Sequence, residues 1–247
     1  MGRRLGGIFL ALTLGGGLAG AQVRAVAPVL PVLVTSSDGL TADGGQSVEL
    51  VREAARRAGV SLTIEIQPWV RALATGQKTP NVLLFPVTRT PDREAQFEWL
   101  GPVNRLEYWL FRSATGTAPR LTSLADLGPR SIGVLKNDAA AGYLHGRIPE
   151  AQLQDISDYT SLPPMLLAGR FDYLAAVPMS LYAALANLGK TKSQVEPLFA
   201  IPNLSSNPFS YVVAAKGTDP ALVAHLRQAF EAMAADGTWE MIFRKYQ

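Results

Sequence analysis

The chain has no cysteine among its 247 residues. This absence excludes disulfide bonds, cysteine metal sites, a thiol nucleophile and a lipid-modified cysteine anchor. Histidine is scarce as well, because His145 and His225 are the only two, and both fall inside predicted helices with no paired nucleophile nearby. No Ser-His-Asp arrangement and no metal-ligand cluster can be found. The sequence therefore predicts no enzyme activity, no metal site and no cofactor.

Strong net charge is also missing. The 23 lysine and arginine residues outnumber the 20 aspartate and glutamate residues by only three. There is no basic run and no basic patch interleaved with aromatic residues, so nucleic acid is not an expected partner. Hydrophobic residues make up 48% of the chain, which predicts one or two soluble domains with hydrophobic cores.

A short apolar run is present at the N-terminus. Residues 1–21 combine the pair Arg3-Arg4, an apolar stretch rich in leucine and glycine, and an Ala-Gly-Ala sequence before Gln22. This order is typical of a cleavable secretory signal peptide. A membrane anchor is the alternative, but the run is short for a bilayer. Without a cysteine for lipid attachment, we expect a freely diffusing, exported protein, most simply a periplasmic one.

The most informative stretch is NVLLFPVTRTPDREAQFEWLGP, residues 81–102. It opens with the apolar run Val82–Phe85, which predicts a strand buried on both faces, as in a parallel sheet. A polar turn follows, in which Thr90 reads as the N-cap of a helix and Pro91 as its first residue.

This strand and turn predict an anion site. They bring the Thr88 hydroxyl and free backbone N–H groups to a helix N-terminus, where anions bind. Arg93 adds a guanidinium that can grip a carboxylate or phosphate with two parallel hydrogen bonds. The alternative is that Arg93 lies on the surface and pairs with Asp92 or Glu98.

The rest of the chain alternates strands and helices, which predicts an α/β fold. Residues 29–34 read as the first strand, and the polar loop that follows them contains Ser36. Residues 60–66 read as the second strand, followed by Trp69 and Arg71. Ligands of open α/β sheets bind at the carboxyl ends of the strands, so these positions are candidates for a binding edge.

Two motifs carry a resemblance to a known family. They are Pro-Trp-Val-Arg-Ala at residues 68–72 and RTPDREAQFEWLGP at residues 89–102. They resemble a divergent branch of the family 3 periplasmic solute-binding proteins, the amino-acid-binding class of bacterial ABC transporters. The resemblance covers nearly the whole chain after the predicted signal peptide.

The resemblance implies a type II periplasmic-binding fold, with two Rossmann-like α/β lobes joined by two hinge crossings. Residues 26–112 with 207–247 form the expected first lobe, and residues 113–206 the second. The residues from 106 to 112 read as one strand that leads out of the first lobe. The resemblance also implies a small-molecule ligand, an ABC permease in the inner membrane as partner, and a monomer.

The same resemblance assigns ligand contacts in the first lobe. Arg93 and Thr88 would hold an anionic group of the ligand, and Trp69 would contact it. Arg71 reads either as a second anion contact or as a solvated helix residue. Ser36 lies where amino-acid binders tend to carry an aspartate, so the usual side-chain cage is in doubt.

In the second lobe, the resemblance implies that Asp138 and Ala139 contact the ligand. Family members usually offer free N–H groups and a hydroxyl there, whereas the Asp138 carboxylate would oppose an anion. Val177 occupies the position of the acid that receives the ammonium group in amino-acid binders. A buried ammonium without an acid is costly. We therefore expect no standard α-amino acid in the usual pose, unless Asp38 or Asp138 takes that role.

The sequence thus favours a periplasmic binding protein for a small, carboxylate-bearing solute. One alternative is a periplasmic enzyme on the same fold, resembling the dehydratases of prephenate or arogenate. Such an enzyme needs a proton donor in the cleft, and the natural position for it is Val177. The other alternative is a ligand sensor that works without a permease.

Overall fold

The computed structural model describes residues 22–202, 204 and 207–246, with the side chain of residue 151 excepted. The predicted signal peptide, residues 1–21, lies outside the described residues. The strands are β1 (Gln22–Ala27), β2 (Ser61–Ile66), β3 (Val82–Thr88), β4 (Phe97–Arg105), β5 (Trp109–Ser113), β6 (Ile132–Leu135), β7 (Leu153–Ile156), β8 (Tyr173–Ala176), β9 (Val195–Ala200) and β10 (Phe209–Ala215). The helices are α1 (Gln46–Arg57), α2 (Trp69–Lys78), α3 (Ala139–Leu144), α4 (Leu162–Leu167), α5 (Pro178–Asn187), α6 (Pro220–Ala235) and α7 (Thr238–Arg244).

These elements build two five-stranded sheets. The first has the strand order β2-β1-β3-β10-β4, and the second has the order β7-β6-β8-β5-β9. In the first sheet β1 pairs in parallel with β2 and β3, while β10 runs antiparallel to β3 and β4. In the second sheet β6 is parallel to β7 and β8, and β5 is antiparallel to β8 and β9. Each sheet is the centre of one α/β lobe.

Strand β3 is buried on both faces, as its apolar run predicts. Leu83 and Phe85 belong to the core shared with α1, α6 and α7. Leu84 and Val87 belong to the core on the other side, shared with α2. Because both faces are covered, the strand holds its carboxyl end at a well-defined place, next to the second lobe.

Two crossings join the lobes side by side. One is residues 106–108, between β4 and β5, and the other lies between β9 and β10. The N–H of Leu106 donates to the carbonyl oxygen of Pro208 at 2.8 Å, and the N–H of Ile201 donates to that of Tyr108 at 2.8 Å. The two crossings therefore hold each other in register.

The lobes also touch across the cleft. Trp69 of the first lobe belongs to the same hydrophobic cluster as Leu135 and Tyr159 of the second. Met179, in the first turn of α5, packs against the core of the first lobe. The two lobes are therefore in contact across the cleft, which we call the closed arrangement.

Three local predictions are wrong. Residues 29–34 do not form the first strand; they make a tight turn in which Leu30 and Val34 exchange backbone hydrogen bonds, and β1 precedes them. The strand predicted at residues 106–112 starts at Trp109 and pairs in the second sheet, not the first. The helix predicted after Thr90 is a 3-10 turn, Pro91–Gln96, which the Thr90 side chain does not cap.

None of the described helices is long and apolar enough to cross a bilayer. Among the same residues, no group of three or more histidine, aspartate or glutamate side chains could hold a metal ion.

Candidate ligand-binding site

A cavity lies between the two lobes, at the carboxyl end of β3. Its volume is ≈ 50 Å³. Two further cavities share part of its lining: one of ≈ 580 Å³ includes Arg93 and Asp138, and one of ≈ 220 Å³ includes Trp69 and Tyr159. The polar lining of the ≈ 50 Å³ cavity is Trp69, Thr88, Arg93, Asn104, Tyr108, Asp138, Tyr159, Ser180 and Ser210. Its apolar lining includes Leu30, Leu33, Pro86, Leu135 and Val177.

Of the described residues that line the cavity, Arg93 is the one arginine or lysine. It is carried by the 3-10 turn after β3, and its side chain reaches back under the cleft, where the residue is only 7% exposed. Its Nη2 donates to the carbonyl oxygen of Asn137, across the cleft, at 2.7 Å, and its Nη1 donates to that of Thr88 at 3.4 Å. No described carboxylate oxygen lies within 4.0 Å of its guanidinium. The guanidinium carbon lies 5.8 Å from the centre of the Trp69 ring.

A row of polar side chains forms the first-lobe wall of the cavity. Ser210 pairs with Thr88 of β3 on one side and with Asn104 of β4 on the other, so the three side chains share one face of the sheet. The hydroxyl of Ser210 donates to the side-chain oxygen of Asn104. The Thr88 hydroxyl lies beside that of Tyr108 and favours its ionised form.

Asp138 is the acid of the cavity, and it is 8% exposed. One of its oxygens caps α3 by accepting from the N–H of Ala141 at 2.9 Å, and the other accepts from the hydroxyl of Tyr108 at 3.1 Å. Burial raises the pKa of Asp138 to about 6, although the Ala141 N–H and the charge of Arg93 both favour the ionised form. Asp138 can thus change charge close to neutral pH.

Tyr108 couples the crossing between β4 and β5 to this acid. Burial raises the pKa of the Tyr108 hydroxyl well above its ordinary value, and the negative charge of Asp138 raises it further. Tyr108 therefore stays protonated and donates to Asp138. This hydrogen bond links the acid of the cavity to the first crossing.

Trp69 and Tyr159 face each other from opposite lobes. Trp69 is the first residue of α2 and Tyr159 lies in a short 3-10 turn after β7. Among the described residues, neither the Trp69 indole nitrogen nor the Tyr159 hydroxyl has a hydrogen-bond partner of normal geometry, although both are buried. Burial also raises the pKa of the Tyr159 hydroxyl.

The structure brings five of the seven sequence-predicted residues together. Trp69, Thr88, Arg93, Asp138 and Ala139 all line the cavity.

The other two lie outside it. Arg71 is exposed on α2, near Glu65. The Ser36 hydroxyl is engaged within its own loop, where it bonds to the carbonyl oxygen of Thr41 at 2.7 Å and accepts from the N–H of Gly39 at 2.9 Å. Roles for Arg71 and Ser36 in binding stay predictions.

Val177 lines the cavity, so the position expected to carry the ammonium partner in amino-acid binders lies at the cleft and has no charge. Asp38, the first alternative for that role, is held by hydrogen bonds from Leu40 and Thr41 in an exposed loop. Asp138, the second alternative, is the acid that the cavity contains.

Sequence reasoning missed several polar residues of the cavity. These are Asn104, Tyr108, Tyr159, Ser180 and Ser210. Asn104 and Ser210 come together with Thr88 only because β10 pairs with β3 on one side and with β4 on the other in this register. Their position at strand ends next to the crossings was the one signal available in the sequence.

Comparison with known proteins agrees with this architecture. Residues 32–247 match the profile of bacterial extracellular solute-binding proteins, family 3. No curated protein matches the chain significantly.

Solved structures share the fold at low sequence identity. A histidine kinase sensor domain with similarity to periplasmic binding proteins superposes with a TM-score of 0.81 at 16% identity, covering 92% of this chain and 96% of that one. The arginine-, lysine-, histidine-binding protein ArtJ from Geobacillus stearothermophilus gives 0.77 at 14% identity, covering 91% and 94%. The GluR0 ligand-binding core from Nostoc punctiforme, in complex with L-glutamate, gives 0.74 at 20% identity, covering 91% and 98%.

The two sheets, the paired crossings and these superpositions establish the type II periplasmic-binding fold. Because the family profile extends over residues 32–247, the chain belongs to the bacterial extracellular solute-binding proteins of family 3.

Proposed function

We propose that this chain captures a small, carboxylate-bearing solute in the inter-lobe cleft, in the periplasm, and delivers it to an ABC-type importer. The observation that carries the proposal is the buried guanidinium of Arg93, which faces the cavity with no carboxylate partner within 4.0 Å among the described residues. A buried charge is retained only where something pairs with it.

The geometry of Arg93 suits a ligand carboxylate. Two of its five N–H groups donate to main-chain carbonyl oxygens, which leaves donors for a ligand. The Asn137 carbonyl belongs to the second lobe, so Arg93 bonds to both lobes when the cleft is closed. A carboxylate bound to Arg93 would therefore favour closure, the movement that a permease recognises.

We predict that Arg93→Ala costs about 2–5 kcal/mol of binding free energy, since it leaves the ligand charge unpaired in a desolvated cleft. That corresponds to roughly 1.5 to 3.5 orders of magnitude in Kd. Calorimetric titration with an acid found by screening measures it. The matched control is Arg170→Ala, which removes an exposed arginine of the second lobe. Equal affinity of Arg93→Ala and the parent protein would remove Arg93 from the site.

The importer is the second part of the proposal, and family membership supports it. If the proposal is right, deletion of the gene abolishes uptake of the solute by intact cells. A ligand sensor is the competing function, because a sensor domain shares the fold at a TM-score of 0.81. Normal uptake in the deletion strain, combined with a lost transcriptional response to the solute, would favour the sensor.

We further propose that the protein is a monomer and not an enzyme. The dehydratase alternative is tested by incubating the purified protein with prephenate. We expect no turnover, and product formation that disappears in Asp138→Asn would establish an enzyme.

A further inference from the structure

Three of the four tryptophans donate a hydrogen bond from the indole nitrogen to a described residue, and Trp69 does not. The indole nitrogens of Trp99, Trp109 and Trp239 donate to Glu94, Glu107 and Pro102 at 3.1, 2.8 and 2.8 Å. Trp69 is 5% exposed, yet its indole nitrogen donates to no described residue. Buried polar groups are nearly always hydrogen-bonded, so an orphan donor at a ligand cavity points to a partner on the ligand.

A second orphan lies opposite, on the other lobe. Tyr159 is 9% exposed and its hydroxyl also lacks a hydrogen bond of normal geometry, although the side chain of Ser180 lies beside it. Trp69 and Tyr159 both line the central cavity of ≈ 50 Å³ and a neighbouring one of ≈ 220 Å³. Pro28 and Leu135 also line both cavities, and we call the polar pair among these shared residues the Trp69–Tyr159 wall.

The chemistry of these groups restricts the ligand. An indole nitrogen can only donate, so a group that pairs with Trp69 must accept a hydrogen bond. An ammonium group also only donates, and it cannot satisfy Trp69. A carbonyl, hydroxyl or carboxylate oxygen can accept from Trp69 and from Tyr159 together.

Arg93 and the Trp69 ring lie close enough for one small molecule to contact both. The guanidinium carbon of Arg93 lies 5.8 Å from the centre of the Trp69 ring. Leu135 and Val177 line the cavity as apolar wall. A carboxylate on Arg93 and an acceptor a few bonds away at the Trp69–Tyr159 wall would fill this space.

We propose that the solute is an acid whose second polar group is a hydrogen-bond acceptor, such as a short oxo acid or dicarboxylate, with that group on Trp69 and Tyr159. The inference rests on the proposed binding of a carboxylate by Arg93, which it deepens. The competing ligand is an amino acid with its ammonium group on Asp138. An ammonium group on Asp138 would leave the Trp69 indole N–H without a partner, which favours the acceptor ligand.

Four acids of similar size separate these ligands in calorimetric titrations of the purified protein. They are propionate, which has no second polar group, pyruvate with an oxo group, malonate with a second carboxylate, and alanine with an ammonium group. We expect pyruvate or malonate to bind at least about tenfold more tightly than propionate, the value of one or two buried hydrogen bonds. Tighter binding of alanine, or binding of none of the four, overturns the inference.

Conservative variants test the wall itself. Tyr159→Phe removes only the hydroxyl, while Trp69→Phe removes the indole N–H and also shrinks the ring, so propionate serves as the control for the lost volume. Each is expected to weaken pyruvate or malonate by about five- to tenfold and to leave propionate unchanged. The indole N–H signal of Trp69, identified by its loss in Trp69→Phe, should move downfield in proton NMR with pyruvate and not with propionate.

The failures of the two proposals can be told apart. If Arg93→Gln abolishes binding of the acids while Trp69→Phe and Tyr159→Phe leave all affinities unchanged, the acceptor inference is wrong and carboxylate capture survives. If Arg93→Gln binds as well as the parent protein, carboxylate capture itself is wrong.

Discussion

At the scale of single residues, the cavity places one cation and one acid near each other. Arg93 supplies the positive charge, and Asp138 is held by Tyr108 and the cap of α3. Three groups surround Asp138. They are Arg93 on the 3-10 turn, Tyr108 in the first crossing and Tyr159 in the second lobe. The charge state of Asp138 therefore decides how strongly the cavity attracts an anion.

We predict that the affinity for an acid falls as pH rises through about 6. Burial raises the pKa of Asp138 to about 6, so the carboxyl is neutral below that pH and repels an anion above it. Between its ordinary value of 3.8 and about 6, the folded protein holds a proton that the unfolded chain releases, so the contribution of Asp138 to stability also declines with rising pH over that window.

The variant Asp138→Asn removes the titrating group. It should bind the acid about tenfold more tightly than the parent at pH 7.5, because a carboxylate in the cavity disfavours a second one. Its affinity should vary little between pH 5 and 7.5. Titrations at several pH values measure this, with Asp92→Asn, an exposed acid on the 3-10 turn, as the control. Tighter binding in the parent than in Asp138→Asn would mean that Asp138 holds a cationic group.

The cavity residues that belong to a recognisable sequence motif could be predicted from the sequence. Arg93 and Trp69 stand in such motifs, and both line the cavity. Tyr108 and Tyr159 could not be found this way. Each is an unremarkable tyrosine in the sequence, and its place depends on how the crossing and the second lobe are folded.

At the scale of elements, the sequence pattern predicted the secondary structure correctly where a whole segment is buried in the same way. β3, with both faces buried, begins at Val82 as predicted and continues past Phe85 to Thr88. Residues 29–34 do not form the predicted strand, because their apolar side chains belong to a turn. Pro31 has no N–H to offer a sheet, and Val32 takes a positive φ of 72°. The turn instead brings Leu30 and Leu33 to the cavity.

The packing of α6 on β4 makes a prediction about a single glycine. A Cβ added at Gly101 would lie 2.0 Å from Cγ and 2.5 Å from Cβ of Phe230, atoms close to the helix backbone. Gly101→Ala should therefore destabilise the protein by about 1–3 kcal/mol, the usual cost of overpacking.

Urea unfolding measures that loss, with Gly142→Ala as the matched control. Gly142 lies in α3, where an added Cβ meets nothing within 4 Å. The control should be neutral or more stable by about 0.5–1 kcal/mol, since alanine is the better helix former. Equal stability of Gly101→Ala and the parent would show that Phe230 can move aside.

At the scale of the whole molecule, the alternation of strands and helices and the two motifs sufficed for the fold class. The membership of a strand in one sheet or the other did not follow from them. Trp109–Ser113 pairs with β8 and β9, which lie some 60 to 90 residues further along the chain. Such long-range partners leave no mark within the strand itself, which is why it was predicted in the first lobe.

The closed arrangement connects this architecture to binding. Arg93 bonds across the cleft, Met179 packs on the opposite lobe, and Tyr108 ties the hinge to the cavity acid. We therefore expect ligand capture, closure and the position of the crossings to depend on these contacts.

The most direct test of carboxylate capture is a thermal-shift screen of the purified protein and of Arg93→Ala. The panel contains organic acids, amino acids, small peptides and polyamines. A ligand at a hundred times its Kd adds about 2.7 kcal/mol, enough to raise Tm by several degrees. The account predicts that an acid without an ammonium group stabilises the parent and not Arg93→Ala. Stabilisation by a polyamine, undiminished in Arg93→Ala, would contradict it.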